Sequence, residues 1–241
     1  MSFSTGSEKR AAVQGMFAAI SHRYDLLNRM LSLGMDRRWR KRAVSMFSED
    51  VASVLDVAAG TGDLSAAWLA HRRDARVLAT DFVPEMCRLG AGKLAGESRL
   101  SGYAAADALA LPFADGSFDG AMAAFGVRNF ADLGAGLTEM ARVIRPGGEI
   151  LILEFFPSRN ALQDKLFRFY FHQILPRLGG WISGDREAYA YLPRSVGEFV
   201  SREAFEELCA TIGLNTEQRI EFSGGIATAV LVKKTSFSTK H

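Results

Sequence analysis

Apolar runs of strand length recur near positions 53–58, 76–80, 102–106, 118–125 and 149–156, with helix-length segments between them. Alternation of this kind predicts crossover units and a mostly parallel sheet with helices on both faces. Helix ends are readable. Asp63 and Asp132 are placed to cap two helices, and in the second Leu133, Leu137, Met140 and Ile144 share one face before Arg145-Pro146-Gly147-Gly148 ends it. Ser201 caps a helix whose Phe205, Leu208, Cys209 and Ile212 lie on one side and whose end is marked by Gly213. Two further strand-like runs, 215–222 and 226–233, are joined by Ser223-Gly224-Gly225 and predict a hairpin that places one antiparallel strand in the sheet. The pattern changes between about 158 and 200, where Asn160 caps a helix carrying Leu162, Leu166, Phe169 and Tyr170, and a glycine-bearing loop runs from Leu178 to Asp185.

The chain thus reads as one α/β domain in five parts: a helical N-terminal region to residue 48, a ligand-binding core over 49–157, a helical cap insertion over 158–200, a closing helix and hairpin over 201–234, and a polar tail. No internal repeat is present that would indicate a solenoid or propeller.

The most informative segment is Val54-Leu-Asp56-Val-Ala-Ala-Gly60-Thr61-Gly62-Asp63-Leu64, a buried strand that ends in an acid, passes through glycines and opens a helix. Glycines at 60 and 62 let the backbone approach a ligand closely, and the helix start offers N–H groups to its negative end. Acids at 56 and 63 flank the turn, which repels a pyrophosphate and suits a ligand with a cationic amino group. S-adenosylmethionine has that charge pattern: a sulfonium, an ammonium and a carboxylate. A second strand ends in Asp81, 19 residues beyond Gly62, where a carboxylate can accept both ribose hydroxyls. A third ends in Ala106-Asp107-Ala108, which puts a carboxylate where an adenine amino group would sit. A single strand-end Asp is most often a turn residue. Three in order at the edge of consecutive strands predict a crevice at the point where the strand order reverses.

Composition narrows the class. Of 241 residues 48% are hydrophobic, and 29 Lys plus Arg against 27 Asp plus Glu give a net charge of +2, which argues against a general nucleic-acid binder. Two distant cysteines, Cys87 and Cys209, suggest a reducing compartment. No run reaches the roughly 18 apolar residues of a spanning helix, and the first residues lack the apolar core of a secretory signal, so the expectation is a cytoplasmic protein. Five basic residues in six at 37–42 stand out. On a helix from Asp36 to Phe47, Trp39, Ala43, Met46 and Phe47 face one way and most of the arginines the other; such a helix can lie on anionic membrane, although a solvated face is the more common meaning of a charge run.

The sequence resembles the class I S-adenosylmethionine-dependent methyltransferases and, within them, the menaquinone and ubiquinone biosynthesis C-methyltransferases, over about residues 16–230. The resemblance rests on Met16-Phe-Ala-Ala-Ile-Ser-His-Arg23-Tyr24-Asp25-Leu-Leu-Asn28, on Ser32-Leu-Gly34-Met-Asp-Arg37-Arg-Trp39-Arg, on Phe125-Gly126-Val-Arg128-Asn129-Phe, and on Ser183-Gly184-Asp185 with Tyr189 and Tyr191-Leu192. It implies the seven-stranded Rossmann-like methyltransferase sheet, with Thr61, Asp81, Asp107 and Ala108 on positions that contact the cofactor, beside the Asp56, Gly60 and Gly62 of the glycine turn. Where the family often has Ser before the Phe-Gly-x-Arg-Asn motif, this chain has Ala124, so a side-chain contact at that cofactor position is absent. The chain's ending, Gly225–Lys234, also departs from the family's more basic and aromatic one.

The implied activity is C-methylation of a polyprenyl quinol ring. That chemistry needs an electron-rich carbon and a group that accepts a phenolic proton. Arg128 is a candidate to stabilise the phenolate or hold a water, Asn129 to fix a ring oxygen, and Tyr24 with Asp25 to close over the substrate. The structural alternatives are that Arg128 pairs with a carboxylate and orders its loop and that Tyr24 caps the core. His22 and His172 are weaker base candidates, and no His, Cys and carboxylate grouping at ligand spacing suggests a metal. The apolar stretch 162–182 serves either as a lid over an isoprenoid tunnel or as a cap helix buried on both sides. The partners expected are the quinol and a transient membrane surface, with room for a homodimer and without nucleic acid. Two competing readings keep the cofactor and change the rest: another phenolic or small lipophilic acceptor, or a non-catalytic scaffold for quinone synthesis.

Overall fold

The structure, a computed structural model, describes residues 6–157 and 186–235. Three helices come first: α1 (Gly6–Ile20), α2 (Tyr24–Leu31) and α3 (Asp36–Val44). The core then alternates β1 (Ser53–Val57), α4 (Asp63–His71), β2 (Arg76–Asp81), α5 (Pro84–Lys93), β3 (Leu100–Ala105), β4 (Phe118–Ala124), α6 (Leu133–Val143) and β5 (Ile144–Glu154). It closes with α7 (Arg186–Gly197), α8 (Arg202–Thr211), β6 (Leu214–Phe222) and β7 (Ala227–Lys234).

The seven strands form one sheet in the order β3-β2-β1-β4-β5-β7-β6. β1 to β5 run parallel, and β7 is antiparallel to both of its neighbours. Side chains alternate between faces as strand geometry requires. Val54, Leu151, Leu153 and Leu231 pack toward Trp39, Phe47 and Trp68, while Leu55, Ile150, Ile152 and Val232 pack toward Leu137, Met140 and Phe205. Helices therefore cover both faces, and the strand order reverses beside β1, which opens a crevice at the C-terminal ends of β1 and β4.

The expected strands are all present, with shifted ends. β5 begins at Ile144, because Ile144 pairs with Phe118 and the ladder then skips over Arg145–Gly148 to Gly120 opposite Glu149. The glycine turn expected to separate helix from strand is thus a bulge within the strand. Asp132 and Ser201 cap α6 and α8, accepting from Ala135 N at 2.9 Å and Ala204 N at 3.2 Å. Asp63 does not cap α4. Gly62 occupies the cap position at φ +83°, and the Asp63 carboxylate turns to Lys93 at 2.5 Å. The helix expected from Asn160, the loop 178–185 and the apolar stretch 162–182 lie outside the described residues.

Candidate active site

β1 delivers its chain end into the crevice through Ala58 at φ +54°, Gly60 at +57° and Gly62 at +83°. This left-handed path turns the Gly60 N–H toward Asp81 Oδ2 at 2.8 Å, and Val83 N donates to the other oxygen at 2.8 Å. Burial raises the Asp81 carboxyl above its usual range, against the lowering effect of those N–H bonds. Each carboxylate oxygen keeps a further lone pair for a diol. Asp81, Gly60, Asp107 and Ala108 line one pocket of about 740 Å³ that Phe82, Met86 and Phe130 make apolar. At its far end Asp107 Oδ1 accepts from Leu109 N at 3.0 Å, and Oδ2 pairs with Arg10, reaching down from α1. The position expected to meet an adenine amino group thus faces the guanidinium of the same chain.

A smaller, polar pocket of about 290 Å³ adjoins, lined by Arg40, Asp56, Thr61, Asp63 and Ala124 among others. Asp56 is fully buried, and its Oδ2 accepts from Ser65 Oγ at 2.6 Å. Its Oδ1 is buried without a hydrogen-bond partner. Desolvation lifts this carboxyl to about 7, against hydrogen bonds from Ser65 that pull it down. An orphaned acid beside Asp63 and a guanidinium suits the zwitterionic amino-acid end of S-adenosylmethionine, so the residues present fit that cofactor across the two pockets. Thr61 lines this space, but its hydroxyl bonds to Asp25 on α2, and Lys93 joins Asp25 at 2.7 Å. Gly62 is absent from both linings. A Cβ there would lie 2.2 Å from the Tyr103 hydroxyl, so its glycine serves close packing behind the turn.

The third space is an apolar pocket of about 720 Å³, bounded by Ile20, Trp39, Phe155 and Leu192, with Tyr24, Asp36, Arg40 and Arg128 as its principal polar groups. Phe17, Tyr24 and Phe125 line both this pocket and the larger cofactor-side one. Tyr24 also lines the small polar pocket, and a Cβ on Gly60 would lie 3.3 Å from its ring. Its hydroxyl pKa is raised, chiefly by burial. Phe125 stands at φ +58°, held by its N–H to Leu153 O at 2.8 Å. Such a conformation costs a side-chain-bearing residue on the order of 1–3 kcal/mol and concentrates at functional sites.

Arg128 and Asn129 follow on a short 3₁₀ turn, Val127–Asn129. Arg128 faces the apolar pocket and is anchored behind it by the Phe125 carbonyl and Glu154, each at 2.6 Å. Asn129 Oδ1 accepts from Tyr191 at 2.8 Å and lines the cofactor-side pocket, with its amide N–H groups to offer a ring oxygen. Sequence reasoning missed Glu154, Asp36, Arg40 and Tyr191 as site residues. A carboxylate at the end of β5, the strand next to Phe125-Gly-Val-Arg128, was the available signal for Glu154. His22 is exposed on the turn Ser21–Arg23, and His172 lies outside the described residues. Among the described residues no group of three His, Cys, Asp or Glu is placed to hold a metal ion.

Fold and crevice together define a class I S-adenosylmethionine-dependent methyltransferase. A methyltransferase of that kind from Aquifex aeolicus superposes with a TM-score of 0.57 at 16% identity, covering 80% of this chain and 88% of its own, a likeness of fold. The sequence profile of the ubiE/COQ5 methyltransferase family matches residues 4–234, and the chain belongs to that family. It is 45% identical to a demethylmenaquinone methyltransferase of Deinococcus radiodurans over 88% of each chain. It is likewise 45% identical to a ubiquinone/menaquinone biosynthesis C-methyltransferase UbiE of Geobacter sp. strain M21, over 95% of this chain and 98% of that one.

Proposed function

We propose that the enzyme methylates a ring carbon of a polyprenyl quinol, as in the conversion of demethylmenaquinol to menaquinol. The observation that carries this reading is the shared wall of Phe17, Tyr24 and Phe125 between a crevice built for S-adenosylmethionine and an apolar, aromatic pocket. A flat, lipophilic acceptor fits such a pocket better than a charged one. The names of the relatives support the quinol specifically.

When bound, S-adenosylmethionine supplies a methyl group on a cationic sulfur. Asp81 takes the ribose, Gly60 lets the backbone close on it, Asp107 and Ala108 bound the adenine, and Asp56 faces the amino-acid end. Tyr24 and Phe125 hold the ring at the wall between the pockets and exclude water. Arg128, held by Glu154, donates hydrogen bonds to a ring oxygen, and Asn129 orients the ring from the cofactor side. Arg37, Arg38, Lys41 and Arg42 on α3 are exposed, beside Leu33 at the preceding turn, which is 67% exposed. They form a basic and apolar surface for anionic membrane, where a long-tailed quinol would be met. Among the described residues no helix is long and apolar enough to cross a membrane.

The test is methyl incorporation from labelled S-adenosylmethionine into chemically reduced short-chain demethylmenaquinone and its benzoquinone counterpart, with mass analysis of the product. Ring methylation of either is expected. Cofactor binding without transfer to either would overturn the reading in favour of another acceptor.

A further inference from the structure

The apolar pocket has two poles. Phe125 and Phe155 stack with centroids 4.5 Å apart. Arg40 lies over Phe125 at 5.3 Å and Arg128 over Phe155 at 5.8 Å. Each guanidinium is paired with a buried carboxylate: Arg40 with Asp36, and Arg128 with Glu154. The poles differ in what they present. Glu154 is fully buried and absent from the pocket lining, so the Arg128 pole shows the pocket a cation. Asp36 itself lines the pocket, and it is the one acid among the described residues that do. Its Oδ1 accepts from Ser32 Oγ at 2.8 Å and its Oδ2 is bonded by Arg40, which leaves acceptor capacity on both oxygens.

We propose that Asp36 is the general base of the reaction, taking the proton from the quinol hydroxyl adjacent to the carbon that is methylated, while Arg128 holds the oxygen at the opposite end of the ring. The inference rests on the quinol reading above. A ring with hydroxyls at opposite ends matches a pocket with the Arg128 guanidinium at one pole and, at the other, the Arg40 guanidinium beside Asp36, the one carboxylate among the described residues that faces in. The O–H bond breaks, its proton goes to a carboxylate oxygen of Asp36, and its electron pair stays with the quinol. Donated into the ring, that pair makes a carbon–oxygen double bond and displaces a ring π pair, which forms the new bond from the adjacent carbon to the methyl group as the pair of the broken carbon–sulfur bond returns to sulfur. The proton on that carbon then leaves to water, its pair re-enters the ring, and the carbon–oxygen π pair returns to oxygen, which takes back the proton held by Asp36. Ser32 and Arg40 are positioning residues: they fix the carboxylate in the pocket wall. Among the described residues the charged and titratable groups around Asp36 are Arg40 on its own helix, Asp63 of α4 at 4.0 Å from Arg40, and Tyr24, Arg128 and Tyr191, which line the same pocket.

The experiment is single-turnover methylation of reduced short-chain demethylmenaquinone against pH, with donor affinity measured alongside by calorimetry. For Asp36→Asn the expected rate at neutral pH is about 10²- to 10⁴-fold lower with donor affinity unchanged. The deficit should shrink toward pH ~10, where a phenol ionises unaided. An Asn variant within about threefold of wild type at neutral pH, or a deficit constant across the range, would overturn the assignment. Should Asp36→Asn fail to bind donor, Asp36→Glu decides: a slower rate with a displaced acid limb supports the proposal, and a limb identical to wild type overturns it. If wild type itself methylates no quinol, the substrate reading fails and not the base assignment alone.

Discussion

Arg128 and Glu154 form an ion pair at 2.6 Å whose side chains are 7% and 0% exposed, and it ties the loop after β4 to the end of β5. The contact is the carboxylate pairing that the structural reading of Arg128 expects, and with Glu154 on its inner side Arg128 lines the apolar pocket. Burial raises the Glu154 carboxyl and the Arg128 charge opposes that rise.

Arg128→Ala should therefore do two things. Turnover is lost, and unfolding free energy falls by about 3–5 kcal/mol because a buried acid is left alone. Glu154→Gln, which keeps the shape, should retain more stability than Arg128→Ala. Urea denaturation and methyl transfer on both variants check this; undiminished activity in Arg128→Ala would refute the role assigned to its charge.

Asp81→Ala removes the acceptor of two backbone N–H groups and the proposed ribose partner together. Donor affinity should fall by at least about tenfold, or ~1.4 kcal/mol. Calorimetric titration reads it directly, and unaltered affinity would sink the ribose assignment.

Tyr103 packs over two glycines, and a Cβ on Gly90 would lie 2.4 Å from its ring just as one on Gly62 would meet its hydroxyl. That hydroxyl is buried without a partner. Tyr103→Phe should be neutral or stabilising by up to about 1 kcal/mol. Gly62→Ala, combining overpacking with a left-handed φ, should cost about 2–4 kcal/mol. Thermal or urea unfolding distinguishes the two signs.

Asp56 makes stability depend on pH. Its carboxyl holds a proton to about 7 when folded, whereas an unfolded Asp releases it near ~4, so the folded state carries the extra proton between those values. Stability from this group is greatest at the acid end and declines as pH rises through that window, by at most about 1.4 kcal/mol per pH unit, then levels. Asp56→Asn should flatten the slope between pH 5 and 7, measured as the wild-type-minus-variant difference in urea unfolding; a parallel pair of curves would contradict the shift.

Periodicity and strand-end acids made the sheet and the cofactor crevice legible, because both are local: a strand, a glycine turn and a helix start are adjacent in sequence. The apolar pocket was harder to read, since its polar poles come from residues distant along the chain. Arg40 sits inside a run of basic residues that reads as one solvated face, yet it falls one turn after Asp36 and turns inward with Trp39 and Ala43. The pairing of i and i+4 charges was the available sign. Asp107 illustrates the opposite limit. Its place at a strand end was readable, but nothing nearby in sequence could have indicated Arg10 as its partner.

Helix α1 gives Arg10 and Val13 to the cofactor-side pocket, Met16 and Ile20 to the apolar one, and Phe17 to both. One helix therefore forms part of the wall of both pockets, so any displacement of it reshapes the space open to the donor and the space open to the acceptor together.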